Sequence, residues 1–328
     1  MPEPPEQEAL FALPERSIEG LPPSAAQLAL AAAMPKTLHM GAMTWSYPGW
    51  HGVVYRRAHS SKELAALGLT AYAAQPLLRA AEIDRSYYEP LPRSVFEGYA
   101  AQVPDDFRFV VKAHEDCCVD RFPQHARYGK KRGLPNERYL DPDYATRAVI
   151  EPLAGLGDKL HSLLFQFSPI VPAPDEAAQR EFADRLYDFL SELPRGITYA
   201  VELRTEALLT PQYAAALVDN GAIHCHSAWS YMPSVLEQAR NLPPETRKPL
   251  LVRWLLRRGE RYEHANARFE PFSAIQEEDP RTRDEVATLV SKALAHDVPT
   301  LALVDNKAEG CAPPSIELLA QSLQARLS

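Results

Sequence analysis

Phe107-Arg108-Phe109-Val110-Val111-Lys112-Ala113-His114 is the stretch whose reading decides the fold. It is short and rich in β-formers, and apolar residues occupy both of its faces, as they do in a strand covered on each side. A helical pattern over 94–103 precedes it, and another over 144–156 follows after a long connection. The same unit recurs along the chain. Strands are expected at Leu38–Trp45, Ala80–Tyr88, Phe107–His114 and Leu160–Phe167, then at Thr198–Arg204, Gly221–Ser227, Leu250–Leu256 and Thr300–Asn306. The helical patterns between them are 62–74, 94–103, 144–156, 175–193, 211–220, 234–242, 282–296 and 315–327. In 175–193, Ala178, Phe182, Leu186, Phe189, Leu190 and Leu193 recur at helical spacing. Thr210 before Pro211 reads as a helix cap, and Ser315 as the cap of the last helix. Strand–helix alternation implies parallel neighbours. Eight such units match a (β/α)8 TIM-type barrel, roughly 250 residues plus insertions. An open doubly wound sheet is the alternative.

Residues 36–328 form the barrel domain in this reading, and 1–35 an extension rich in Pro, Ala and Glu. The extension opens with acidic rather than basic residues, so it is a poor signal peptide. Pro2–Glu8 is expected to be disordered. Residues 24–34 are expected to form a short helix over the N-terminal end of the barrel, or else a loose tail. No apolar run approaches the roughly 18 residues that a membrane helix needs, so no membrane partner is expected. A net charge of -8 argues against a general nucleic-acid binder. Four cysteines without C-x-x-C spacing fit a reduced, cytoplasmic protein without structural zinc.

Alternation along each strand assigns the inward faces. Glu82, Asp84 and Ser86 point in from strand two, and Arg108, Val110, Lys112 and His114 from strand three. Gln166, Glu202, Arg204, Arg253 and Asn306 follow from later strands. Strands one and six are ambiguous, with either Trp45 or Ser46 and either His226 or Ser227 facing in. Buried charges of both signs must pair, and a purely structural ion network would satisfy that. Their place at the C-terminal strand ends, where barrel enzymes put their chemistry, favours function. Glu82, Glu202, Lys112 and Asp84 are the catalytic candidates, with Glu82 or Glu202 as general acid/base. Trp45, Tyr47, Tyr88, His114, Gln166, Arg204, Arg253, Asp305 and Asn306 are the substrate-binding candidates.

The cations suit a small anionic compound, phosphorylated or sugar-like, and oppose a metal among the carboxylates. No cofactor is expected. The turn Asp305–Gly310 before the last helix resembles a place where barrels bind phosphate. Two long connections, 115–143 and 257–280, carry many Arg and Lys residues to the same face, as lids, binding loops or solvated loops. Aromatics at the strand ends (Trp45, Tyr47, Trp50, Tyr87, Tyr88, Trp229 and Tyr231) offer stacking or plain packing. Three functions remain open: an enzyme such as a two-carboxylate hydrolase, a nucleic-acid-binding or metal-dependent phosphodiesterase-like protein, and a non-enzymatic binding barrel. Oligomeric state is not legible.

Six segments, in order, carry a resemblance. Trp45-Ser46-Tyr47-Pro48-Gly49-Trp50 resembles the W-S-Y-x-x-W opening of the YecE-like family, domain of unknown function 72. Glu82-Ile83-Asp84-Arg85-Ser86-Tyr87-Tyr88 is similar to its E-I-N-x-x-F-Y, and Phe107-Arg108-Phe109 through Lys112 to its F-R-F-x-x-K. Leu156-Gly157-Asp158-Lys159-Leu160 through Gln166, then Glu202-Leu203-Arg204, then Asp305-Asn306 with Gly310, match three further segments. The resemblance spans Leu38 to Leu319 and implies a TIM-type barrel of uncharacterised function. Where the family commonly reads R-L-H-G, this chain reads Arg253-Trp254-Leu255-Leu256. A histidine available for acid/base work is thus missing.

Overall fold

Eight strands pair in sequence order, each parallel to the next, and the last pairs with the first, so the sheet is a closed barrel. The computed structural model describes residues 17–242 and 248–327. Its strands are β1 (Leu38–Ala42), β2 (Ala80–Ile83), β3 (Arg108–Lys112), β4 (Leu160–Gln166), β5 (Tyr199–Glu202), β6 (Ile223–Ala228), β7 (Leu250–Trp254) and β8 (Thr300–Val304). The helices are α1 (Ala25–Ala32), α2 (Ser61–Leu67), α3 (Leu69–Ala73), α4 (Arg85–Tyr88), α5 (Arg93–Ala100), α6 (Pro142–Tyr144), α7 (Glu176–Glu192), α8 (Pro211–Asn220), α9 (Val235–Asn241), α10 (Tyr262–Phe269), α11 (Pro280–Leu294) and α12 (Ala312–Leu327). The closed sheet rules out the doubly wound alternative.

Inside the barrel, Ala80, Val110, Leu164, Ala200, Cys225, Leu251, Leu301 and Leu303 pack into one buried cluster. Their neighbours along each strand face the helices and join the larger outer core. Such a barrel is filled, not hollow. Tight closure dictates Gly41: a Cβ there would lie 1.7 Å from Ala80 O, its register partner on β2.

The structure departs from the sequence reading in several places. β2 stops at Ile83 rather than Tyr88, because the chain turns at Asp84 and winds α4. Ser86 Oγ donates to Ile83 O (2.9 Å) and Lys112 O (2.7 Å), which ties that turn onto β3. The segment 144–156 is not one α-helix. A wide π-type turn over Ala145–Ile150 runs into a 3-10 segment, Glu151–Lys159, which contains Pro152 and is broken at Gly157 (φ 53°). α12 begins at Ala312, so Ser315 is buried within its first turn rather than capping it.

α1 forms with Ser24 as its cap, but it lies beside α12 in the outer layer. Gln27 Nε2 donates to Glu317 Oε2 (3.0 Å) there. The expected position over the N-terminal end of the barrel is therefore corrected. Pro2–Glu8 lies outside the described residues. Strand six resolves in favour of Ser227, since Cys225 two residues earlier is inside. His224 and His226 point to the helices, where His224 meets Tyr213 Oη (2.9 Å) and Gln238 Oε1 (3.1 Å). Burial holds the imidazoles of His224 and His226 at about 4 and about 3, so both are neutral.

Candidate active site

Above the apolar interior, the C-terminal ends of β2, β4, β5 and β7 contribute a chain of alternating charges. Arg253 Nη2 donates to Glu82 Oε1 at 2.8 Å, and its Nη1 binds Glu202 Oε2. Arg204 Nε holds the other oxygen of Glu202. The Gln166 side-chain oxygen accepts from both guanidiniums, at 3.1 Å from Arg204 Nη2 and 3.3 Å from Arg253 Nη1. Strand register brings them together, with Gln166 opposite Glu202 and Ser227 opposite Arg253. Glu202 is fully buried, and Glu82 and Arg253 are each only 2% exposed. Charges so deep persist only when paired, since stripping water from either sign costs several kcal/mol.

The two carboxylates are not equivalent. Burial raises the Glu82 carboxyl to about 7, although Arg253 and Lys112 pull it down. Burial pushes Glu202 the same way, but Arg204 and Arg253 outweigh it and hold that carboxyl below its ordinary value. The second oxygen of Glu82, Oε2, is buried without a hydrogen-bond partner.

Beside this chain, Lys112 Nζ lies 2.6 Å from Asp84 Oδ1 and 4.1 Å over the Tyr87 ring. The Arg204 guanidinium stacks 3.7 Å from the Trp229 ring centre. Asp305 Oδ1 accepts from the Lys307 N–H (2.8 Å) and Nζ (3.2 Å). Asn306 Oδ1 accepts from Trp50 Nε1 (3.0 Å) and Ala312 N (2.9 Å), pinning the start of α12 to the segment after β1. These groups surround a cavity of about 570 Å³ at the mouth of the barrel, within the range of small-molecule sites.

Trp45, Tyr47, Glu82, Asp84, Tyr88, Lys112, Gln166, Arg204, Arg253, Asp305 and Asn306 all line that cavity. Glu202 does not; it lies beneath, sealed by its two arginines. Nor does His114. It sits past the end of β3, where its Nδ1 meets Tyr144 Oη (2.8 Å) near Asp116, and burial holds its imidazole below the ordinary value. Trp45 both lines the cavity and packs edge-on against Tyr99, 5.0 Å between ring centres. Lys307, Trp229 and Tyr262 also line the cavity. The sequence offered Trp229 only among the aromatics for stacking or packing, and did not select Lys307 or Tyr262, because these lie past strand ends, where alternation no longer applies.

Two expected anion sites have part of their donors engaged within the protein. At the start of α12 the Ala312 N–H is bound by Asn306, Pro313 and Pro314 have no N–H, and the Ser315 N–H bonds Cys311 O. Those positions offer no N–H to a phosphate. In 115–143, Arg127 pairs with Glu115, Arg138 with Asp116 (3.1 Å), Arg121 with Gly133 O (2.6 Å) and Arg132 with Gly129 O (3.0 Å). Those contacts shape the loop, while Lys130, Lys131 and Arg132 remain exposed on it. Among the described residues, no group of three His, Cys, Asp or Glu side chains is placed to hold a metal ion, and no helix is long and apolar enough to cross a membrane.

A family model described as "Protein of unknown function DUF72" matches residues 39–328. No curated protein matches. Among solved structures, a DUF72 family protein from Enterococcus faecalis superposes with TM-score 0.57 at 17% identity, covering 88% of this chain and 95% of its own. One from Thermotoga maritima gives 0.55 at 19% identity, covering 88% and 98%. At such identities the likeness shows the shared fold.

Proposed function

This chain belongs to the DUF72 family, and within it we propose an acid–base enzyme that acts on a small polar compound held at the mouth of the barrel. The single observation that carries this reading is Glu82. Its carboxyl, raised to about 7, lines the cavity with one oxygen anchored by Arg253 and the other unpartnered. A group poised near neutrality both gives and takes a proton efficiently. Asp84, two residues on and bound to Lys112, is the second carboxylate beside it, so a two-carboxylate hydrolase is one form of the chemistry.

The role of general acid/base passes to Glu82 alone. Glu202, buried and held by two arginines, has no path to a substrate and acts as a positioning residue that fixes Arg253 and Arg204. The nucleic-acid reading is the alternative, and it rests on Lys130, Lys131 and Arg132, exposed in the 115–143 loop.

The test is to incubate cell extract with wild-type protein and with Glu82→Gln, and to follow by mass spectrometry which compounds are consumed. Compounds consumed by the wild type alone support the reading. Equal consumption by both removes Glu82 from catalysis. Consumption by neither favours a non-enzymatic binding barrel.

A further inference from the structure

We infer that the mouth cavity recognises an uncharged, hydroxyl-bearing ring, such as a sugar unit, in preference to a phosphorylated or carboxylated compound. This rests on the mouth being the working site, and it names what that site takes.

The first support is the pairing of charge. Five cations line the cavity, and each already has a carboxylate at ion-pair distance. Arg85 has Glu89 (2.8 Å), Lys112 has Asp84 (2.6 Å), Arg204 has Glu202, Arg253 has both Glu82 (2.8 Å) and Glu202, and Lys307 has Asp305 (3.2 Å). An incoming phosphate would find no unpaired cation among the described lining residues and would sit against Asp84 and Asp305, a like-charge contact. At the α12 start, its ordinary alternative, the Ala312 and Ser315 amides are already bound and Pro313 and Pro314 have none.

The second support is the set of acceptors left over. Asp84 and Asp305 each use only Oδ1 in a hydrogen bond or ion pair among the described residues, which leaves each Oδ2 without a protein partner. Glu82 Oε2 is a third such oxygen, buried at the floor. Three carboxyl oxygens around one cavity suit donors, and hydroxyl groups are donors without charge. Tyr47, Trp229 and Tyr262 supply ring faces against which the apolar face of a sugar-like ring packs. Arg204 stacks on the Trp229 ring at 3.7 Å, which helps to fix the indole in place.

Saturation-transfer NMR on the full chain tests this. The probes are free monosaccharides and inositol, the monophosphate of each, and inorganic phosphate, measured on wild type and Asp305→Asn. Neutral members are expected to bind wild type, with each phosphorylated counterpart about tenfold weaker or worse. Asp305→Asn keeps the Oδ1 acceptor for Lys307 but removes the second oxygen and the charge. It is expected to weaken neutral ligands about tenfold and to gain inorganic phosphate binding at the freed Lys307. If that variant does not fold, Asp84→Asn serves, with Lys112 as the freed cation. The inference is overturned if no neutral ring compound binds, or if phosphorylated forms bind wild type as tightly as their neutral counterparts. Binding of neutral rings by a wild type that consumes nothing would sink the acid–base reading and leave this one standing.

Discussion

Arg253 Nη2 stands 2.8 Å from Glu82 Oε1, and the other amino group of the same guanidinium binds Glu202. One arginine thus serves two carboxylates, while Arg204 serves only Glu202. That imbalance separates two chemically identical groups. The doubly held carboxylate stays ionised, and the singly held one moves toward neutrality. Two carboxylates driven apart by their surroundings are how a barrel obtains an acid and an anion from one residue type.

The first consequence is a pH dependence of stability. The Glu82 carboxyl sits at about 7 in the fold, against an ordinary 4.5. Between those values the folded protein keeps a proton that the unfolded chain has released. Stability therefore falls as pH rises through that window and levels off above it. Glu82→Gln removes this slope. Urea denaturation at about pH 5 and about pH 8 should show wild type losing up to about 3 kcal/mol more than the variant. Equal losses would return Glu82 to the ordinary range.

The neighbouring carboxylate behaves differently. Glu202→Gln takes the shared negative charge from two buried guanidiniums and should cost about 3–5 kcal/mol. Glu82→Gln should cost a small fraction of this near neutral pH, since that group is already half protonated. Denaturation midpoints at pH 7 check the contrast. Similar losses would mean that the two carboxylates share Arg253 evenly.

The barrel was legible because strands covered on both sides must be apolar throughout, as Leu250–Trp254 is apart from Arg253. Alternation then placed Glu82, Lys112, Gln166 and Arg253 inside, as the structure has them. It failed where strands end. Asp84 and Tyr88 were read as strand but belong to the turn and helix after β2, and His114 lies two residues past β3, bonded to Tyr144 rather than lining the mouth. Whether an inward carboxylate reaches a cavity or is sealed below it depends on height along the barrel. A period of two carries no height, so Glu82 and Glu202 looked alike.

Two glycines should respond oppositely to the same substitution. At Gly41 an alanine Cβ would meet Ala80 O at 1.7 Å in the seam between β1 and β2, so backbone must move. Gly41→Ala should lose about 3 kcal/mol or more, the upper end of ordinary overpacking. Gly98 lies within α5, where an alanine Cβ would have no neighbouring atom inside 4 Å. Gly98→Ala should gain about 0.5–1 kcal/mol through helix propensity. Thermal melts of both variants decide it, and a tolerated Gly41→Ala would mean that β1 sits further from β2 than the register requires.

The 115–143 connection depends on one buried amide. Asn136 Nδ2 donates to Asp116 O (2.8 Å) and Val119 O (2.7 Å), and its Oδ1 accepts from the Arg138 N–H (3.1 Å). Asn136→Ala strands those groups and should release the loop locally, at about 1–3 kcal/mol, while the barrel strands keep their contacts. Arg127, Lys130, Lys131 and Arg132 are exposed in the same loop, so trypsin reports the release. Cleavage there should accelerate about tenfold or more, with the melting of the barrel little changed. Unchanged cleavage would assign the hold to the ion pairs Arg127–Glu115 and Arg138–Asp116. Raised salt should then loosen the loop in the wild type, because pairs with one exposed partner are screened and the buried amide is not.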